Sequence, residues 1–169
     1  MTTESLRAQF QALLERHRGI VFKVANTYCR HAEDRRDLGQ DICAHAWKAF
    51  PAWDSQRPFS TWMYRIALNV AISHARGNDE RMRHIALDDN DTEPAQDDDA
   101  AREADDSVRA LYHCIAQLDP LNRALLLLYL DDKSQREIAD ILGLSETNVA
   151  TKIARLKQRI RNDINPTGT

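Results

Sequence analysis

Between residues 84 and 107 the chain reads HIALDDNDTEPAQDDDAAREADDS, with ten acidic side chains against a single basic one. Few large apolar residues and mostly like charges mean that this stretch cannot bury enough surface to offset the entropy of ordering it. It reads as a flexible acidic linker, so the chain folds as whatever lies on either side: residues 1–83 and residues 108–169. The flanks have the opposite charge balance. Residues 1–83 carry 13 Lys and Arg against 9 Asp and Glu, and residues 108–169 carry 9 against 7. The formal net charge of −3 therefore conceals two mildly basic ends around an acidic middle. A segment this negative is repelled by DNA and attracted by a positively charged channel.

Both flanks have helical periodicity, and no window alternates long enough to predict a strand. Leu6, Phe10, Leu13 and Leu14 recur on one face, then Val21, Val24, Ala25 and Tyr28, then Leu38, Ile42, Ala46, Ala49 and Phe50. A fourth helix is expected to begin at Ser60 or Thr61, run through Trp62, Ile66, Ala67 and Val70, and stop at Gly77. With 43% apolar residues, the expected fold is all-α: an N-terminal helical bundle and a second small helical domain. The longest apolar runs are shorter than a membrane span, and the opening residues have neither a basic nor an apolar signal region. A soluble, cytoplasmic protein without membrane insertion is expected.

The second flank is punctuated by capping chemistry. Val108, Leu111, Tyr112, Ile115 and Leu118 form one stripe; Asp119 followed by Pro120 then predicts a side-chain N-cap and a proline in the first helical turn. That helix carries Leu125 to Leu130 and should end near Asp131 and Asp132. Ser134 and Glu137 fit a capping box, Gly143 can close the short helix that follows, and Ser145 caps the next. Helix, glycine turn, helix is the pattern of a helix-turn-helix.

In such a unit the second helix enters the DNA major groove, so the face away from its core must offer hydrogen-bonding groups. The inward stripe is Val149, Ile153, Leu156 and Ile160; opposite lie Thr147, Thr151, Arg155 and Gln158, flanked by Asn148 and Lys152, with none acidic. A solvated helical hairpin has the same periodicity. The cluster of Lys152, Arg155, Lys157, Arg159 and Arg161 favours DNA.

The stretch LDPLNRALLLLYLDDKSQREIADILGLSETNVATKIARLKQRIRND resembles the fourth conserved region of extracytoplasmic-function (ECF) sigma factors, which belong to the sigma-70 family of bacterial RNA polymerase sigma factors. FQALLERHRGIVFKVANTYC and DLGQDICAHAWKAFPAWDSQRPFSTWMYRIALNVAISHAR resemble the second region of the same family. The resemblance implies promoter-specific initiation by core RNA polymerase, with residues 1–83 binding core and the minus-10 element and residues 108–169 binding the minus-35 element. It places core docking on Asp37, Leu38, Gln40, Asp41 and Trp47, against a basic coiled-coil element of the largest polymerase subunit. Here Arg35 and Arg36 interrupt an acidic run that is common in the family. Minus-10 contact falls to Arg57, Phe59, Trp62, Tyr64, Arg65 and Asn69, an inventory of stacking surfaces, cations and an amide suited to a flipped base. Minus-35 contact falls to Thr147, Asn148, Thr151, Lys152 and Arg155, and the linker is implied to thread toward the RNA exit path. No sensory segment is visible, so the expected control is external, by an anti-sigma factor or other regulator.

The competing readings make distinct claims. A helix-turn-helix regulator acting alone would not need the set from Trp62 to Asn69, and core-dependent promoter opening discriminates it. A helical adaptor that does not bind DNA would tolerate loss of Arg155, which a promoter-binding assay would show. Cys29 and His31, Cys43 and His45, and His113 and Cys114 invite a zinc site. Residues two apart on a helix diverge by about 200°, so these pairs do not converge on one ion. No catalytic motif is present, and neither cofactor nor enzymatic activity is expected. The three cysteines read as reduced thiols.

Overall fold

The computed structural model describes residues 2–88 and 106–164. Residues 89–105, most of the acidic segment, lie outside the described residues. Among the described residues every regular element is helical: α1 Thr3–Arg16, α2 Arg18–Tyr28, α3 Ala32–Ala49, a 3-10 turn Phe50–Ala52, α4 Phe59–Asp88, α5 Asp106–Gln117, α6 Pro120–Leu130, α7 Gln135–Leu142 and α8 Glu146–Ile164.

The first bundle is built from α1 to α4. Thr2 caps α1 through its hydroxyl, which accepts the Ser5 N–H at 3.2 Å. Only His17 separates α1 from α2. Val24, Leu38, Ile42, Ala46, Met63 and Ala67 fill the interior without exposed surface. Beside them an aromatic cluster ties α1, α3, the 3-10 turn and α4 together. Phe10 meets Trp47 and Phe50 at 5.4 and 5.1 Å between centroids, Phe50 stacks on Trp53 at 5.6 Å, and Trp53 and Trp62 both pack on Phe59.

Two expectations for this bundle need correction. The fourth helix starts at Phe59 and does not stop at Gly77, since it continues to Asp88, into the segment assigned to the linker. Gly77 has no left-handed backbone, and an isolated glycine costs a helix only about 1 kcal/mol, which neighbouring residues can offset. Leu38, assigned to polymerase docking, is fully enclosed on the same stripe as Ile42 and Ala46. Leu38→Ala is therefore expected to cost about 2–5 kcal/mol of stability, read as a lower denaturant midpoint at unchanged slope. A shift worth less than about 0.5 kcal/mol would instead be the behaviour of a surface residue.

The second unit follows its local signals closely. α6 ends at Leu130 with Asp131 as its C-cap, and Asp132 takes a left-handed φ of 58°, with its N–H bonded to Tyr129 O and the Lys133 N–H to Leu128 O. This is a Schellman closure in which aspartate stands where glycine is usual. Ser134 accepts the Glu137 N–H at 3.1 Å, Gly143 closes α7 with φ of 70°, and Ser145 accepts the Asn148 N–H at 3.1 Å. Asp119 departs from expectation. It makes no side-chain cap to the backbone and instead accepts from the Asn122 amide. Arg123 satisfies the end of α5, donating to Leu118 O at 2.9 Å and Ala116 O at 2.8 Å.

The two units pack on each other. α6 lies against α2 and α4, α7 lies against α4, and the buried apolar side chains form one continuous cluster from Phe10 to Leu156.

Candidate polymerase and DNA interfaces

Helix α3 turns its stripe of Leu38, Ile42 and Ala46 inward, which leaves Asp37, Gln40 and Asp41 exposed on its outer surface. Asp37 and Asp41 are four apart and share one face. Trp47 is half-buried against Phe10 and borders the surface rather than crowning it. Arg35 donates to the Arg30 carbonyl at 2.7 Å, folding part of the basic interruption back onto the entry to the helix.

The loop before α4 is organised by Asp54, whose carboxylate accepts the Gln56 N–H at 3.0 Å and whose carbonyl accepts the Arg57 N–H at 3.0 Å. It forms one wall of a cleft of about 880 Å³ lined by Trp53, Arg57, Trp62 and Arg65 on one side and by Arg136, Glu137 and Asp140 of α7 on the other. Arg57, Arg65 and Asn69 are exposed and Trp62 is half-buried. Trp53, which the sequence reading did not single out, carries a buried indole N–H without a hydrogen-bond partner. Phe59 and Tyr64 do not face this cleft as open stacking surfaces. Phe59 is 5% exposed within the aromatic cluster and Tyr64 is 1% exposed. An aromatic residue on a helix serves a core as readily as a base, and here packing claims both.

Tyr64 belongs to a polar node between the two units. Its hydroxyl donates to one oxygen of Asp131 at 2.5 Å, and Lys23 Nζ donates to the other at 2.6 Å. Lys133 lies over the Tyr64 ring at 5.6 Å. Burial alone would raise the Asp131 pKa, but the hydrogen bonds from Lys23 and Tyr64, with the charges of Lys23 and Lys133, outweigh it and hold the carboxyl below its ordinary range. The node's contribution is thus present above the ordinary aspartate pKa and is lost as pH falls through the lower folded value. Burial, followed by the Asp131 hydrogen bond, keeps the Tyr64 phenol protonated as a donor. Tyr28 donates similarly to Pro120 O at 2.7 Å. From sequence, Tyr28 reads only as part of an apolar stripe and Asp131 only as a helix stop, and Lys23 and Asp140 carry no signal of their own.

On α8, Val149, Ile153 and Leu156 are buried, and Thr147, Asn148, Thr151, Arg155 and Gln158 are exposed. Lys152 is half-buried at the flank. Thr151 donates its hydroxyl to Thr147 O at 3.0 Å, so it faces outward as an acceptor and a methyl group. Burial raises all three cysteine pKa values, that of Cys29 to about 11, so these thiols are not thiolates at neutral pH.

A helix-turn-helix presenting a polar recognition face, joined to a helical bundle whose cleft is lined by Arg57, Arg65 and tryptophans, is the architecture of a DNA-binding protein. Residues 13–81 match sigma-70 region 2 and residues 108–160 match sigma-70 region 4. The chain is 23% identical over 167 residues to the RNA polymerase sigma-H factor of Pseudomonas aeruginosa, covering 93% of this chain and 86% of that protein. It is 26% identical over 156 residues to the ECF RNA polymerase sigma-E factor of Escherichia coli K12, covering 85% and 82%. Its fold matches the sigma factor RpoE of Bartonella quintana, solved in complex with the anti-sigma factor NepR, with a TM-score of 0.70 and 18% identity over 93% of this chain and 97% of that one. The chain belongs to the ECF branch of the sigma-70 family of RNA polymerase sigma factors. It directs promoter-specific transcription by RNA polymerase, and its family is one of non-catalytic initiation factors. Among the described residues no helix is long and apolar enough to cross a membrane.

Proposed function

We propose that this sigma factor docks on core RNA polymerase through Asp37, Gln40 and Asp41 with Trp47 at their edge, takes nontemplate minus-10 DNA into the cleft of Arg57, Trp62 and Arg65 with the exposed Asn69 further along α4, and sets α8 in the major groove of the minus-35 element. The observation that carries this reading is the division of α8, whose Val149, Ile153 and Leu156 anchor it while Thr147, Asn148, Thr151 and Arg155 are free to meet base edges. Trp62 offers a partly open ring face, and Arg57 and Arg65 offer backbone cations. Polymerase performs the chemistry, and the chain itself acts in the cytoplasm without catalysis or cofactor.

Control is external, by an anti-sigma factor. A groove of about 310 Å³ between α5, α6 and α8 is lined by Leu111, Leu126, Leu130 and Ile160, and Leu130 is 58% exposed, which suits the apolar face of a partner helix. The complex of the Bartonella quintana relative with its anti-sigma factor supports the same kind of partner here.

The test is in vitro transcription with core polymerase and a genomic promoter library. Initiation from a defined promoter set only when the chain is added is the expected result. Equal initiation from core alone would overturn the reading, as would duplex binding without any core-dependent opening.

A further inference from the structure

We infer that α8 selects thymines in the minus-35 element by their 5-methyl groups, through an apolar strip formed by the Thr151 methyl and Ala154 beside the Arg155 guanidinium. The inference rests on the assignment of α8 to that element and names the base chemistry the helix selects.

A base edge in the major groove is read by a matched hydrogen bond or by an apolar contact, and the thymine methyl is open only to the second. Thr151 carries groups for both kinds of contact. The fold divides them. Its hydroxyl donates to Thr147 O at 3.0 Å, one turn back along α8, and a threonine has a single hydrogen to donate. Outward it presents a methyl group and an acceptor oxygen, with nothing to give to the acceptors that guanine and adenine offer.

Ala154 extends this surface. It is exposed on α8 three residues after Thr151, a spacing that sets Cβ atoms about 5–6 Å apart on one face. Its side chain is a methyl group alone. Behind the strip, Val149, Ile153 and Leu156 are buried and fix the rotation of the helix. Two short side chains in succession let the helix approach the bases closely, and two methyl groups suit neighbouring thymines. Arg155 follows directly, with donors for a guanine at the next position. Cytosine in place of thymine would bring an amino group and no methyl against the strip, so the contact discriminates between the two pyrimidines.

The experiment uses holoenzyme, the full chain with core polymerase, on a promoter that it initiates from. Each thymine of the upstream element is replaced singly by deoxyuridine, which lacks the 5-methyl and keeps every hydrogen-bonding group. One or two adjacent positions are expected to lose about fourfold in affinity, the value of one methyl-sized group withdrawn from water, and the others nothing. Thr151→Ser keeps the hydroxyl and lacks the methyl. It should lose the same fourfold on the unmodified promoter and become indifferent to deoxyuridine at one position. Thr151→Val keeps the methyl and lacks the hydroxyl, and should retain both affinity and sensitivity. Ala154→Gly should remove sensitivity at the neighbouring position. Glycine also weakens an exposed helix, but that loss is the same for thymine and deoxyuridine and cancels in their ratio.

Three results overturn the inference while leaving α8 in the groove, which Arg155→Ala reports by weakening upstream-element binding. The first is no loss at any deoxyuridine. The second is sensitivity kept by Thr151→Ser and lost by Thr151→Val, which would assign the reading to the oxygen. The third is a deoxyuridine effect that persists in both Thr151→Ser and Ala154→Gly, the mark of altered DNA deformability. If none of the three α8 substitutions Thr151→Ser, Ala154→Gly and Arg155→Ala changes binding to the upstream element, the helix is not in that groove. The underlying assignment then fails, and the inference with it. Circular dichroism matching wild type accompanies each variant.

Discussion

Reversing Asp37 and Asp41 together, as Asp37→Lys with Asp41→Lys, is expected to weaken binding to core RNA polymerase by about a hundredfold, roughly 2.7 kcal/mol. Both carboxylates stand exposed on one face of α3, and a basic target would turn from attraction to repulsion at two contacts. The helix itself should persist. Lysine is a better helix former than aspartate, and Lys at position 37 would stand four residues after Glu33, a favourable spacing. Competition binding against a labelled sigma factor gives the affinity, and circular dichroism gives the helix content. Unchanged affinity with intact helicity would move the docking surface away from α3.

The second large effect concerns α8. Arg155→Ala is expected to cost about 1–3 kcal/mol of discrimination between matched and mutated minus-35 elements, because a bidentate arginine contact to a base edge has that value. Lys152→Ala should weaken all sequences alike and lower the salt slope by about one, the behaviour of a phosphate contact. The structure sharpens this division. Thr151 has its hydroxyl hydrogen committed to Thr147 O, and positions 150 and 154 are alanines, so Arg155 is the long donor nearest the centre of the exposed face. The measurement is holoenzyme binding to promoter variants at several salt concentrations. If Arg155→Ala lowers affinity equally for every sequence, specificity belongs to Thr147, Asn148, Thr151 or the shape of the DNA.

The helix-turn-helix was legible from sequence because its boundaries rest on local chemistry. Ser134, Gly143 and Ser145 each act within three or four residues of themselves, and each makes the cap its residue type favours. Local rules misled where two local solutions compete. Gly77 offered a stop that α4 did not take, and Asp119 preferred the Asn122 amide to a backbone N–H. Leu38 is instructive in another way. Its periodicity with Ile42 and Ala46 already placed it inside, and the family motif, which carries buried and exposed positions together, placed it among the docking residues. Phe59 and Tyr64 had no such internal signal, since an aromatic ring satisfies a core and a base stack equally.

The sequence by itself determined the all-helical class, the acidic middle, the helix-turn-helix and the family, because periodicity, charge density and capping are properties of neighbouring residues. The tertiary structure alone decided that the two units close on one another. Lys23 and Tyr64 stand 108 and 67 positions from the Asp131 they share. A hydrogen bond across such a separation leaves no periodic trace in the chain. It exists only once hydrophobic burial has brought α2, α4 and α6 together and set a partly buried carboxylate beside its partners.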